Sequence, residues 1–141
     1  MFVLNLVTPE KKLVTELEVD EVIVPAHKGQ LDILPGHAPL MTTLATGILK
    51  YRAKGGTELQ TVVVSWGYCE VHPDGVVILA EIAESLEEID HERAQAQVKK
   101  AKQALLDPLL ESDQIEMFQH KLERAQARLE ALGAQEKDTL H

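Results

Sequence analysis

The 141-residue sequence is poor in several things at once, and each shortage removes a class of explanation. Cys69 is the only cysteine, so no intramolecular disulfide can staple the fold; this suits a reducing compartment and reads as a small core residue. No apolar run approaches the roughly 20 residues that a membrane-spanning helix needs. The opening segment, MFVLNLVTPEKK, lacks the basic region and cleavage site of a signal peptide, so it is read as a first strand. Positive charge is also short: 14 Lys and Arg stand against 23 Asp and Glu, for a net charge of −9. Residues 1–83 carry six basic against ten acidic side chains, and residues 84–141 carry eight against thirteen. Neither part offers the basic face that a phosphate backbone requires, so no nucleic-acid partner is expected. Aromatics make up only 4%, which leaves Val, Ile and Leu to fill a core.

The chemistry-bearing patterns are missing too. The eight glycines nowhere form a nucleotide-hydrolysing loop or a dinucleotide fingerprint. The six histidines show no metal spacing, and His27 and His37 share a loop-rich stretch without a third ligand. A Ser/His/Asp triad can be drawn from Ser65, His72 and Asp74, yet nothing like a nucleophile elbow surrounds Ser65. The expectation is therefore no catalytic residue, no metal site and no required cofactor.

What the sequence does contain is an abrupt change of hydrophobic period near Glu81–Asp90. Before it, short β-type runs cover Phe2–Val7, Glu18–Val24, Gly47–Ala53, Leu59–Ser65, Tyr68–His72 and Val76–Ala80. Lys54-Gly55-Gly56-Thr57 and Pro73-Asp74-Gly75 read as hairpin turns between them. Many strands with no helix between them predict an antiparallel sandwich or barrel over residues 1–84. After the change, Ala94, Val98, Ala101 and Leu105 recur every three or four residues, as do Ile115, Phe118, Leu122, Ala125, Leu129 and Leu132. Asp90 is the predicted N-cap of the first helix, and Asp107-Pro108 must end it. Asp113 and Glu116 form a predicted capping box for a second helix that ends at about Leu132-Gly133. Two narrow seams joined by a short link predict an antiparallel helical hairpin over 85–141, for an α+β chain as a whole. So thin a hairpin is marginal alone, and its detachment should cost only a few kcal/mol.

The stretch Gly29–Leu40 holds two prolines and two glycines on an irregular path, with Leu31, Ile33, Leu34 and Leu40 as anchors. It reads either as a rigid partner-contact loop, with Gln30, Leu31, Asp32 and His37 as candidate contacts, or as a structural corner.

The order of several segments carries a resemblance over nearly the whole chain. Leu4-Asn-Leu-Val-Thr-Pro9, the ILPGHAPL core of Gly29–Leu40, Leu44-Ala-Thr-Gly47, Val64-Ser-Trp-Gly-Tyr-Cys-Glu-Val71 and Leu79-Ala-Glu-Ile-Ala-Glu84 follow one another, then the terminal hairpin. In this the chain resembles the epsilon subunits of bacterial and chloroplast ATP synthases, counterparts of the mitochondrial delta subunit. Asp32 departs from the pattern, standing where the family commonly has glycine. The resemblance implies a β-sandwich followed by two helices, in a non-catalytic subunit of the rotating central stalk. The implied partners are the gamma subunit and the c-ring, joined by the alpha and beta catalytic subunits when the helices extend and inhibit ATP hydrolysis. The implied location is peripheral, on the cytoplasmic face of a bacterial plasma membrane, without insertion into it.

Ile89-Asp-His-Glu-Arg-Ala94 also resembles the element with which some bacterial epsilon subunits bind regulatory ATP. The matching positions are Glu84, Ile89, Asp90, Arg93 and Ala94, with Arg124 and Arg128 on the second helix; Lys100 stands where good ATP binders have arginine. Independently, folding the heptads about Leu110 puts Arg93 opposite roughly Ala127 and Lys100 opposite roughly His120. Arg93, Lys100, Arg124 and Arg128 would then line one side of the hairpin as a phosphate cradle. An alternative is an ordinary solvated helix face, with Asp90 and Arg93 merely stabilising the first turn. The alternative for the whole chain is a free-standing β-sandwich binding module whose hairpin oligomerises.

Overall fold

The computed structural model describes residues 1–139, with side chains described through Gly133. The chain divides into two compact units, Met1–Ser85 and the residues from Leu86 onward. The first unit contains seven strands: β1 (Val3–Val7), β2 (Lys12–Ala26), β3 (Gly29–Ile33), β4 (Leu40–Leu44), β5 (Gly47–Ala53), β6 (Gln60–His72) and β7 (Gly75–Ser85). Their hydrogen bonding runs in the order β1-β7-β6-β4-β2-β3, with β5 bridging β2 and β6. All pairings are antiparallel except β1 with β7, which are parallel.

Two long strands tie the sandwich together. β2 pairs with β1 through its first half and with β5 and β3 through its second. β6 pairs with β5 over Gln60–Val64 and with β4 over Gly67–Val71. The two runs Leu59–Ser65 and Tyr68–His72 are thus parts of one strand, kinked at Trp66 (φ 57°) and Gly67 (φ 141°). The kink needs glycine: a Cβ on Gly67 would lie 1.8 Å from the Leu79 carbonyl oxygen.

Alternation sorts the side chains. Leu4, Leu6, Val22, Val24, Ile33, Leu49, Val64, Cys69, Val71, Val76 and Ile78 are fully buried in one core, with Phe2 its single buried aromatic. Burial pushes the Cys69 thiol up to about 11, so it stays protonated and inert. Both expected hairpins form: Gly56 N–H donates to the Ala53 carbonyl after Gly55 at φ 77°, and His72 pairs with Gly75 across Pro73-Asp74.

The stretch read as an irregular path from Gly29 to Leu40 is regular at its start. Gly29–Ile33 is β3, paired antiparallel with β2, and only Leu34–Pro39 is loop. Cross-strand pairing with the Val22–Ala26 run won over the Gly and Pro signals that flank it. Ile33 is buried and Leu31 and Leu40 pack on the core, whereas Leu34 is exposed.

The second unit begins with a 3-10 turn over Leu86–Glu88, followed by α1 (His91–Ala104) and α2 (Ser112–Thr139). Asp90 caps α1 as expected: its side chain accepts the Arg93 N–H at 3.1 Å. α1 stops at the Leu105 cap, before Pro108, and the Asp107 carboxylate takes the Leu109 N–H at 2.9 Å. Two expectations for α2 need correction. The residue that reaches back across its first turn is Gln114, whose Oε1 accepts the Glu111 N–H at 3.2 Å, while Asp113 already lies inside the helix. The capping pattern is thus set earlier than the Asp113–Glu116 spacing implied. α2 also runs through Gly133 to Thr139 instead of ending there. A single glycine costs a helix only about 1 kcal/mol relative to alanine, and Gly133 has no left-handed φ to stop it. Of the two seams, Ala94, Ala101 and Ala125 are buried, while Ile115 is 37% exposed.

Candidate functional site

Each unit presents one surface that its own core does not explain. On the sandwich this is the outer face of β4, β6 and β7. Tyr68 lies directly opposite both Thr43 of β4 and Leu79 of β7, whereas the neighbouring Cys69–Ile78 pair points inward. Met41, Tyr68 and Leu79 are 65%, 56% and 51% exposed, and Trp66 stands exposed at the adjacent kink. Apolar side chains of this size, grouped across neighbouring strands, mark a contact surface. The period-2 pattern placed Tyr68 outward, but which outward positions cluster depends on register across three strands.

The candidate contact loop lies in the same unit. Leu34-Pro35-Gly36-His37 makes a tight turn: the His37 N–H donates to the Leu34 carbonyl at 3.1 Å, with Gly36 at φ 90°. Proline followed by left-handed glycine is the type II pattern. His37 Nδ1 lies 2.8 Å from the Ala38 carbonyl, which fixes the ring against its own loop. Gln30 and Asp32 are exposed and Leu31 half-buried. All three sit on β3, so they belong to a strand and not to the turn. Asp32 needs no left-handed backbone: it pairs with Ile23 in regular register. On that face it raises the pKa of Glu21, first through a carboxyl–carboxyl hydrogen bond, then with partial desolvation and like charge. Arg52, 3.5 Å from Glu21, opposes the shift.

On the hairpin, α1 and α2 enclose a groove of about 290 Å³ lined by Gln97, Lys100, Ala101, Phe118, Lys121, Arg124 and Arg128. Small Ala101 lets the helices approach, and the cations rise around it. Lys121, Arg124 and Arg128 share one stripe of α2 at spacings of three and four, and Lys100 faces them from α1. Arg128 Nη1 donates to Gln97 Oε1 at 3.1 Å, which ties the two walls together. Lys121 Nζ sits 5.6 Å from the Phe118 ring centre. The carboxylates of Glu116 and Glu123 lie 3.6 and 3.8 Å from His120 and are not among the lining residues.

Of the sequence-derived candidates, the structure brings Lys100, Arg124 and Arg128 together. Asp90 and Arg93 are placed at the N-terminus of α1, where Asp90 is engaged as the cap and Arg93 is exposed; neither lines the groove. Ile89 precedes the cap, Ala94 is buried in the α1 seam, and Glu84 belongs to the sandwich unit. Lys121 and Gln97 were missed, although the 121, 124, 128 spacing was there to be read. Among the described residues no group of three or more His, Cys, Asp or Glu is placed to hold a metal.

Comparison with known proteins assigns the architecture. Residues 1–86 match the family model of the ATP synthase delta/epsilon chain β-sandwich domain, and residues 87–133 match that of its long α-helix domain. The chain belongs to the delta/epsilon family of ATP synthase subunits, on its epsilon branch, and is a non-catalytic member. It is 46% identical over 132 residues to an ATP synthase epsilon chain of Bdellovibrio bacteriovorus, covering 94% of each chain. It is 43% identical to the epsilon chain of Geobacter metallireducens, covering 92% of this chain and 91% of that one. Among solved structures, a chain of the Euglena gracilis mitochondrial ATP synthase (OSCP/F1/c-ring) superposes with a TM-score of 0.83 at 26% identity. That match covers 93% of this chain and 81% of the other. No helix among the described residues is long and apolar enough to cross a membrane.

Proposed function

We propose that this chain is a rotor subunit of the central stalk of a proton-translocating F-type ATP synthase, held peripherally at the cytoplasmic face of the membrane. The sandwich docks on the gamma subunit through the Met41–Tyr68–Leu79 face and on the c-ring through the Leu34–His37 turn and the neighbouring Gln30–Asp32 edge. The observation that carries this reading is the exposed apolar cluster across β4, β6 and β7, on a fold otherwise shared with epsilon chains. Burying three such side chains contributes several kcal/mol at about 25 cal/mol per Å², the apolar part of a larger docking interface. The hairpin serves as a brake on ATP hydrolysis when it extends toward the alpha and beta subunits. Regulatory ATP, its phosphates held by Lys100, Arg124 and Arg128, favours the folded form.

Co-elution with purified gamma tests the docking. The native chain is expected to co-elute with gamma as a one-to-one complex, and Tyr68→Glu to lose it while keeping its circular-dichroism spectrum. A native chain that forms a homo-oligomer and ignores gamma would support the free-standing module instead.

A further inference from the structure

β7 is paired on one of its edges over only part of its length. β1 runs parallel to it and stops at Val7, opposite Leu79, while β7 continues to Ser85. The chain leaves that lane at Thr8–Lys11 and returns as β2, antiparallel to β1, with Lys12 opposite Val7. The turn satisfies itself: the Thr8 N–H donates to the Lys11 carbonyl at 2.8 Å and the Lys11 N–H to Thr8 Oγ1 at 3.1 Å. Among the described residues no strand takes the place of β1 beside Glu81–Ser85. An open notch results, walled by Thr8–Lys11 and Glu81–Glu84. From this vacated lane and the charges around it, we infer that β7 accepts a further strand there, a short extended segment of a partner protein in which basic and apolar residues alternate.

The backbone is turned the right way. Val3 lies opposite Gly75, and its N–H donates to the Asp74 carbonyl. In a parallel pair this sets the even-numbered residues of β7 toward β1, and alternation carries Ile82 into the vacated lane. Odd-numbered Ala83 and Ser85 turn toward β6, where they pair with Val64 and Val62. An added strand therefore meets the N–H and C=O of Ile82 without disturbing the existing ladder. Strand edges left open in this way recruit extended segments. The side chains select which segment. Three carboxylates, those of Glu10, Glu81 and Glu84, line the notch against the single ammonium of Lys11. Glu81 is exposed and Ile82 half-buried, as successive residues on opposite faces. A strand laid beside them has a carboxylate on one face and an isoleucine on the other, which favours lysine or arginine alternating with an aliphatic residue. None of the residues that wall the notch belongs to the Met41–Tyr68–Leu79 face, so this contact is separate from the docking proposed above.

The test is fluorescence polarisation of labelled, capped peptides of about six residues, a usual strand length, titrated with the full chain. One peptide alternates valine with lysine and a second alternates valine with glutamate. A third alternates valine with D-lysine, which keeps charge and composition but cannot hold a regular pleat. The valine–lysine peptide is expected to bind about tenfold more tightly than either control, since it alone has both the charge and the backbone hydrogen bonds. Ile82→Pro removes an N–H that faces the lane and spares the β6 ladder, so it should weaken that peptide by about tenfold. Ile82→Ala keeps the N–H and should cost less than about threefold. Should Ile82→Pro not fold, the double variant Glu10→Lys, Glu81→Lys carries the test, and it should reverse the preference toward the valine–glutamate peptide. Equal binding of the L- and D-lysine peptides overturns the inference, because it shows charge attraction without a strand. So does full binding by a folded Ile82→Pro chain, or no binding of any peptide. Dimers of the native chain that Ile82→Pro dissociates also overturn it, since the lane would then belong to a second copy.

Discussion

Gly67→Ala is the most informative single change in the sandwich. Gly67 sits where β6 leaves β5 for β4, at φ 141°, with the backbone of β7 against its α-carbon. A methyl group there would meet the Leu79 carbonyl oxygen at 1.8 Å and the Ala80 α-carbon at 3.0 Å, and both are backbone atoms that cannot rotate away. Two costs add. A non-glycine residue in this backbone region costs about 1–3 kcal/mol, and disturbing the Gly67–Ala80 rung of the ladder costs about 1 kcal/mol more. The expected loss is therefore about 3 kcal/mol, a large share of the stability of an 85-residue unit. The assay is urea denaturation followed by fluorescence of Trp66, the only tryptophan, which reports on the sandwich and not the hairpin. With a slope of roughly 1 kcal/mol per M, the midpoint should fall by about 3 M. The proposed docking on gamma should weaken as well, because the same kink positions Trp66 and Tyr68. A midpoint within about 0.5 M of the native chain would refute the reasoning.

Three further outcomes follow from the structure. Cys69, pushed up to about 11 by burial, should react with a thiol reagent at pH 8 only as fast as the sandwich unfolds; rapid labelling of the folded chain would contradict its placement. The Glu21 carboxyl is raised in the folded state, so the folded chain binds more protons there than the unfolded one. Its contribution to stability is present at low pH and is lost as pH rises through the folded titration. Asp32→Asn should return Glu21 toward the ordinary carboxylate range, measured by NMR titration of its side-chain carboxyl; an unmoved midpoint would contradict the pairing. Gly133→Ala should stabilise α2 by about 0.5–1 kcal/mol in amide exchange around residue 133, since the glycine is helical with open space at its Cβ position. A loss of protection would mean that the residue ends the helix after all.

The sandwich and hairpin were legible because periodicity changes so sharply at Glu81–Asp90, and the Asp90 cap because N-caps are chemically local. β3 was not legible, since its pairing with Val22–Ala26 is a non-local reward that the flanking glycines and prolines conceal. The end of α2 was misread because Gly133 resembles a C-cap in sequence and only its φ shows otherwise. The cationic cluster was legible in part. Lys121, Arg124 and Arg128 share a stripe by spacing alone, but which residues of α1 join them depends on how the two helices pair. Composition does not encode that pairing; the groove lining shows it, with Lys100 present and Arg93 absent. The exposed face at Tyr68 is the same kind of problem, for it exists only once three strands are aligned.

The proposed role as a stalk subunit whose second unit brakes hydrolysis is most directly tested on an ATP synthase catalytic complex depleted of its epsilon subunit. Adding the full chain should suppress ATP hydrolysis several-fold. The chain ending at Ser85, which keeps the whole sandwich core, should bind the complex and leave hydrolysis unsuppressed. Equal suppression by the two forms, or none by the full chain, would contradict the account.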